Sequence, residues 1–339
     1  MAAGRRAAVL LSLGLLILPT AGASEQGGGA TQPERRVSQV HQDHALVGTI
    51  WSAREGRVVS RDELLDALST TSFVLLGEVH DNPEHHSLRA WVLGELASRR
   101  KASGEDGPAV VFEHIRADQQ SVVDDFLGSA DAADAEALLQ KLEWDRSGWP
   151  PAAMFSPLFE QALKFRLPIL GGNTPVDAIR RVAREGLATL PEEERSRLGL
   201  DRQLEPPLRT ALIKEIEENH CGLLPESAFA PMALAQQYRD AHLAKKMSDA
   251  MEGIGAVVLL AGNGHVRADR GVPWHLRRRG PGARIGVVAF VEVDPSMTET
   301  ETYVPRDPAG QPAVDYVWIT SRAERPDPCE QMRQRYSRP

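Results

Sequence analysis

Cysteine is nearly absent, with two residues in a chain of 339. That excludes a disulfide-dense scaffold, a cysteine-ligated zinc ribbon and an iron–sulfur cluster. Basic charge is short as well: 39 Lys and Arg stand against 47 Asp and Glu, for a net charge of −8. The chain therefore has no overall electrostatic case for a nucleic-acid partner. Aromatic residues make up 5% of the chain. The one apolar run outside strand-length segments, Ala7–Leu18, is about a dozen residues and too short for a comfortable membrane span. There are no internal repeats. What remains is ordinary globular composition, 42% hydrophobic and 25% charged, so collagen-like, disordered and multi-span membrane classes are excluded. Chemistry has to rest on histidines, carboxylates and glycine-rich turns.

The first segment reads as an address. Arg5 and Arg6 precede the apolar run, and Ala21-Gly22-Ala23 closes it. That is the pattern of a cleavable secretory signal over residues 1–23, with an uncleaved anchor as the alternative. No cysteine lies near the cleavage site to carry a lipid. Residues 24–38 are expected to be a disordered linker, 39–330 an α/β domain and 331–339 a tail. The expected location is periplasmic or secreted, with no stable membrane span after cleavage. Export changes the reading of Cys221 and Cys329: in an oxidising compartment they either bridge or remain two thiols.

Four apolar runs, Ser72–Leu76, Ala109–Phe112, Leu167–Leu170 and Ala256–Ala261, are continuous rather than alternating. Strands covered on both faces by helices read this way. Helical patterns lie among them at His85–Arg100, Asp118–Leu127, Ala135–Leu142, Pro175–Leu187 and Leu234–Glu252, with Pro83 where a first turn would begin. The fold class is therefore α/β: a mostly parallel sheet flanked by helices, with an inserted helical subdomain at 176–252. That insertion is read either as a lid or as plain helical padding. Ile285–Val293 and Tyr316–Ser321 read as two further strands, antiparallel at one edge.

Each core run ends in a polar or glycine-rich signature. The first continues as Gly77-Glu78-Val79-His80-Asp81-Asn82, the second as Glu113-His114, the third as Gly171-Gly172-Asn173, and the fourth as Gly262-Asn263-Gly264-His265. Ligands of parallel α/β sheets bind outside the carboxyl ends of the strands. Glu78, His80, Glu113, Asn173 and His265 are thus expected in one crevice. Histidine and carboxylate serve as acid and base and as ligands for Zn, Mn or Fe. Glycines at 77, 262 and 264 would allow close approach or positive φ. Glu78, His80, Glu113 and His265 are the candidate catalytic residues, with His80, Glu113 and His265 as candidate metal ligands. Asn173, Asn263 and His86 are candidate cofactor contacts. His85 and His86 cannot share one helix face, so one is expected in the crevice and the other in solvent. His114 alternates away from Glu113 and is expected to be structural. His41, His44, His220, His242 and His275 lack a supporting motif. A helical His-Glu-x-x-His motif, a P-loop and a Gly-x-Ser-x-Gly elbow are all missing.

These exits, together with Asn219-His220-Cys221-Gly222-Leu223-Leu224-Pro225 and the closing Asp315–Thr320 and Arg322–Cys329 segments, resemble the ChaN family over about residues 40–330. The resemblance implies an extracytoplasmic α/β protein that binds haem and serves iron or haem acquisition, with tyrosine as the haem ligand. Only Tyr238, Tyr303, Tyr316 and Tyr336 are present, and none matches a ligand motif. The wider group includes Tiki-type metalloproteases and erythromycin-esterase-like hydrolases. The converging His and Glu residues at the strand exits support the alternative of a metal-dependent hydrolase, peptidase or esterase, with a divalent ion and Glu113 or Glu78 as base. A metal-free variant would use Glu78 and His80 alone. Expected partners are haem or a small-molecule or peptide substrate, and a second copy in a homodimer. An adaptor module would leave the strand-exit residues without a purpose.

Overall fold

The computed structural model describes residues 39–129 and 132–336. The expected signal at 1–23 and linker at 24–38 lie outside the described residues, as do residues 337–339. In chain order the elements are β1 (Gln39–Val40), β2 (Ile50–Ser52), β3 (Arg57–Val59), α1 (Arg61–Ser69), β4 (Phe73–Gly77), α2 (Pro83–Ala102) and β5 (Ala109–Arg116). Then come α3 (Gln120–Leu127), α4 (Ala135–Lys141), α5 (Ala152–Lys164), β6 (Ile169–Asn173), α6 (Val176–Glu185), α7 (Glu192–Leu198), α8 (Pro206–Asn219) and α9 (Phe229–Ile254). The chain closes with β7 (Val257–Leu260), α10 (Val272–Arg279), β8 (Ile285–Glu292), β9 (Tyr316–Thr320), β10 (Arg322–Ala323) and α11 (Pro328–Tyr336).

Eight strands form one sheet in the order β3-β2-β9-β8-β4-β7-β5-β6. The six from β9 to β6 are parallel to one another. Continuous apolar sequence is explained by two-sided burial. Val74, Leu76, Val110, Phe112, Val258 and Leu260 join a core with α1, α2, α4 and α5. The alternate residues Phe73, Leu75, Val111, Val257 and Leu259 pack with Leu243, Ala244 and Met247 of α9 and Leu276 of α10. Each strand thus feeds both cores with period two.

Two expectations about the edge are corrected. The runs at 285 and 316 form strands, but β8 and β9 lie inside the sheet and are parallel. The antiparallel edge is the β2–β3 hairpin, which pairs with β9 through β2. Its strands are three residues each, too short for a periodicity to be read.

Helices α6 to α9 carry two small cores of their own. One joins Val182, Leu190, Leu198 and Tyr238; the other joins Leu212, Ile216 and Phe229 with Trp274 contributed by α10. Helix α9 belongs to both worlds, because its second half covers the sheet. Cys221 and Cys329 are bridged, which ties α11 to the turn after α8 across a separation of 108 residues.

Candidate functional site

Strands β4, β7, β5 and β6 are successive neighbours. Their register aligns Leu76, Leu260, Phe112 and Gly171 in one row. The polar residues begin one to three positions beyond that row on each strand, so parallel pairing itself delivers them to one edge. Glu113 and His114 fall on opposite faces of β5, as alternation requires. Each face builds a separate cluster.

The first cluster centres on Glu78. Its Oε1 accepts from His80 Nδ1 at 2.6 Å and from His114 Nε2 at 2.7 Å. Its Oε2 lies 3.0 Å from His86 Nδ1 and against the Arg89 guanidinium. His86 Nε2 donates to the His80 carbonyl at 2.8 Å. The most exposed of the five, His80, is 4% exposed. Burial alone would raise Glu78, but Arg89, His86 and His114 outweigh it and hold the carboxyl well below 4.5. Burial pushes His114 down to about 4, so it is a neutral donor through Nε2. Its Nδ1 is buried with no hydrogen-bond partner. Trp149, half-buried, roofs this cluster: its ring lies 4.9 Å from His80 and 4.7 Å from His114, and its Nε1 donates to the His114 carbonyl.

The second cluster centres on Glu113. Arg239 donates to Oε1 at 2.6 Å, and His265 Nε2 lies 3.1 Å from the same oxygen. The Gly262 amide donates to Oε2 at 2.8 Å. His265 Nδ1 meets Asp240 Oδ1 at 2.5 Å, and Arg239 Nε donates to Asn173 Oδ1 at 3.1 Å. Burial disfavours a charged His265, yet Glu113 and Asp240 on either side raise it to about 9. Burial likewise would raise Glu113, but His265, Arg239 and His80 hold it well below 4.5. His265 is thus an imidazolium at neutral pH, placed between Glu113 and an Asp240 that burial raises above its usual range.

His80 joins the two. Its Nδ1 is held by Glu78, and its ring lies over Gly262, where a Cβ would meet Nε2 at 2.9 Å. Close approach, not positive φ, is the reason for glycine here: Gly77, Gly262 and Gly264 all have ordinary φ. Asn263 braces the arrangement, donating its amide to the Glu78 carbonyl and its side chain to the Phe290 carbonyl.

Glu78, His80, Glu113, Asn173 and His265 are therefore brought together at one edge, all buried. Two expectations differ from the structure. Neither His85 nor His86 is solvated. His86 contacts Glu78, and His85 accepts from the Val79 amide at 2.9 Å and pairs with Thr320 at 2.7 Å. Burial holds His85 well below 6.5, so it is a neutral pin for the 78–80 turn. His114, expected to be structural, is a partner of Glu78. Arg89, Gln236, Arg239 and Asp240 were not singled out from sequence. Their signal was spacing: Arg89 is three residues after His86, and 236, 239 and 240 share a face of α9 otherwise devoted to burial. The C-terminal segment secures the rim, with Arg325 bonded to Asp81 and Glu292.

A mostly parallel α/β sheet thus carries two buried carboxylate–histidine networks at its carboxyl edge, the edge at which such sheets bind ligands. The chain belongs to the ChaN family, described as haem-binding uptake within the Tiki superfamily, whose sequence model matches residues 64–276. Among solved structures it is similar to ChaN of Campylobacter jejuni, described with cofacial haem, at 18% identity and a TM-score of 0.62. That likeness covers 79% of this chain and 95% of that one. An erythromycin esterase mutant, EreC, in its open conformation is 15% identical with a TM-score of 0.41, covering 82% of this chain and 84% of that one. No curated protein sequence matches.

Haem requires an axial ligand and an apolar slot. The two clusters do not fit it. Their histidines are sealed, and their carboxylates are bonded to neighbouring side chains. Tyr238 and Tyr303 are buried, with hydroxyls bonded to Glu194 and the Asp294 carbonyl. Tyr316 is partly exposed. Among the described residues, Glu78, His80 and His114 form a group whose potential ligand atoms lie within 4.8 Å of one another.

Proposed function

We propose that this chain is an exported haem-binding protein that serves iron or haem acquisition. The observation that carries the reading is membership of the ChaN family, matched over residues 64–276. Export is supported by the Cys221–Cys329 bridge, since disulfides persist in oxidising compartments. Among the described residues no helix is long and apolar enough to cross a membrane. Haem meets the protein outside the buried clusters, whose role is to fix the carboxyl edge of the sheet. Titration of the apoprotein with haem tests this reading. A saturable Soret shift at micromolar protein supports it, and the lack of one refutes it.

A second reading concerns the buried edge. Glu78, His80 and His114 would bind a divalent ion, with Glu113 and His265 beside it as acid–base groups of a hydrolase. The distances around Glu78 favour it. Elemental analysis of purified protein decides. Less than about a tenth of an equivalent of metal, with none taken up on incubation, rules it out.

A further inference from the structure

Away from the sheet edge, helices α7, α9 and α10 meet at a junction whose charge runs against that of the chain. The protein carries a net −8, yet His242 of α9 sits in the field of three cations, Arg197 of α7, Lys246 of α9 and Arg279 of α10. Arg279 crosses to α7, donating from its terminal nitrogen to the Arg197 carbonyl at 2.8 Å. Lys246 is one helical turn beyond His242, on the same face. Glu192 and Glu193 flank Arg197 on its outer side, and the acids nearest His242 and Arg279 are already committed. Glu194 accepts from the Tyr238 hydroxyl at 3.2 Å and lies 3.9 Å from His242 Nε2. Asp249, which faces Arg279, is held by Lys245 at 2.6 Å.

Two atoms at this junction are sealed from solvent without a hydrogen-bond partner: Arg279 Nε and His242 Nε2. A buried donor left unmade is costly, and buried polar groups are almost always satisfied. Like charges gathered with only Glu194 and Asp249 opposite them, both otherwise bonded, are costly too. One group answers both deficits, an anion with acceptor oxygens. It would take the Arg279 Nε–H, pair with Lys246 and Arg197, and accept from Nε2 of His242. Burial and then the surrounding cations hold that imidazole at about 4, so it is neutral until negative charge arrives.

We propose that the α7–α9–α10 junction binds an oxyanion, the carboxylate or phosphate group of a small ligand, between Arg197, His242, Lys246 and Arg279. The site is distinct from the Glu78 and Glu113 clusters and does not rest on haem binding.

The test follows His242 by NMR in the full disulfide-bonded chain, titrated with inorganic phosphate at constant ionic strength. A saturable response with the His242 midpoint raised by about one unit or more is expected, because a bound anion stabilises the imidazolium. Lys246→Gln removes one contact charge without breaking a bond seen in the structure. It should weaken phosphate about tenfold while leaving the thermal melt unchanged. Arg279→Gln should weaken phosphate at least as much. No saturable response in the wild type, or unaltered phosphate affinity in both variants, overturns the proposal. Comparing haem with its dimethyl ester identifies the source of the oxyanion. Loss of haem affinity but not ester affinity in Lys246→Gln assigns the site to haem carboxylates. Equal affinities, or no haem binding at all, assign it to a free oxyanion, with the phosphate response still deciding whether the site exists.

Discussion

Replacing Glu78 by glutamine is the most informative perturbation of the buried edge. The amide is nearly isosteric, and its oxygen can still accept from His80 and His114. It cannot balance the Arg89 guanidinium, which is completely buried and faces Glu78 Oε2. Removing one partner of a buried ion pair costs about 3–5 kcal/mol, most of it from the stranded charge. At roughly 2 °C per kcal/mol for a chain of this size, the melting temperature should fall by about 6–10 °C. Arg89→Met alone should be costly for the same reason, because it strands Glu78. The double variant removes both charges and should lose less than the sum of the singles by at least about 2 kcal/mol. Urea unfolding of the four proteins with the disulfide intact measures this. Additive losses, or a Glu78→Gln cost below about 1 kcal/mol, would refute the view of Glu78 as a hub ionised by its neighbours.

Other outcomes follow from the same geometry. Cys221→Ser with Cys329→Ser opens a crosslink spanning 108 residues and should cost about 4–5 kcal/mol by chain entropy; an unchanged urea midpoint would contradict this. His265 is raised from 6.5 to about 9 in the folded state. Its stabilising contribution is complete below pH 6.5 and is lost as pH rises to about 9. Melts across that window should show a decline that His265→Gln flattens; an identical profile in the variant counts against the imidazolium assignment. Trp149→Ala should unroof His80 and His114. Diethylpyrocarbonate should then modify one or two additional histidines, and unchanged labelling would show that the indole is not the barrier.

The two-sided apolar strands were legible because burial on both faces removes alternation, and the strand-exit motifs stood directly after them. Glu78, His80, Glu113 and His265 could be named without coordinates for that reason. The helical partners could not. Arg89, Arg239 and Asp240 are charged residues on helices, where solvation is the ordinary reading, and only the tertiary fold turns those faces inward. His114 reads as structural because it alternates away from Glu113. It does so in the structure, but β4 lies near enough for that opposite face to meet Glu78. The β2–β3 hairpin was missed because three-residue strands carry no period. The cysteine pairing depends on a contact between distant segments that no local pattern encodes.

The central claim is that a ChaN family member binds haem outside its buried Glu78 and Glu113 clusters. The direct measurement is a haem titration followed in the Soret band, on the wild type and on His80→Ala with His114→Ala. Saturable binding at micromolar protein is expected, with indistinguishable spectra and affinity in both. No saturable shift in the wild type, or an altered ligand-field spectrum in the variant, would contradict it.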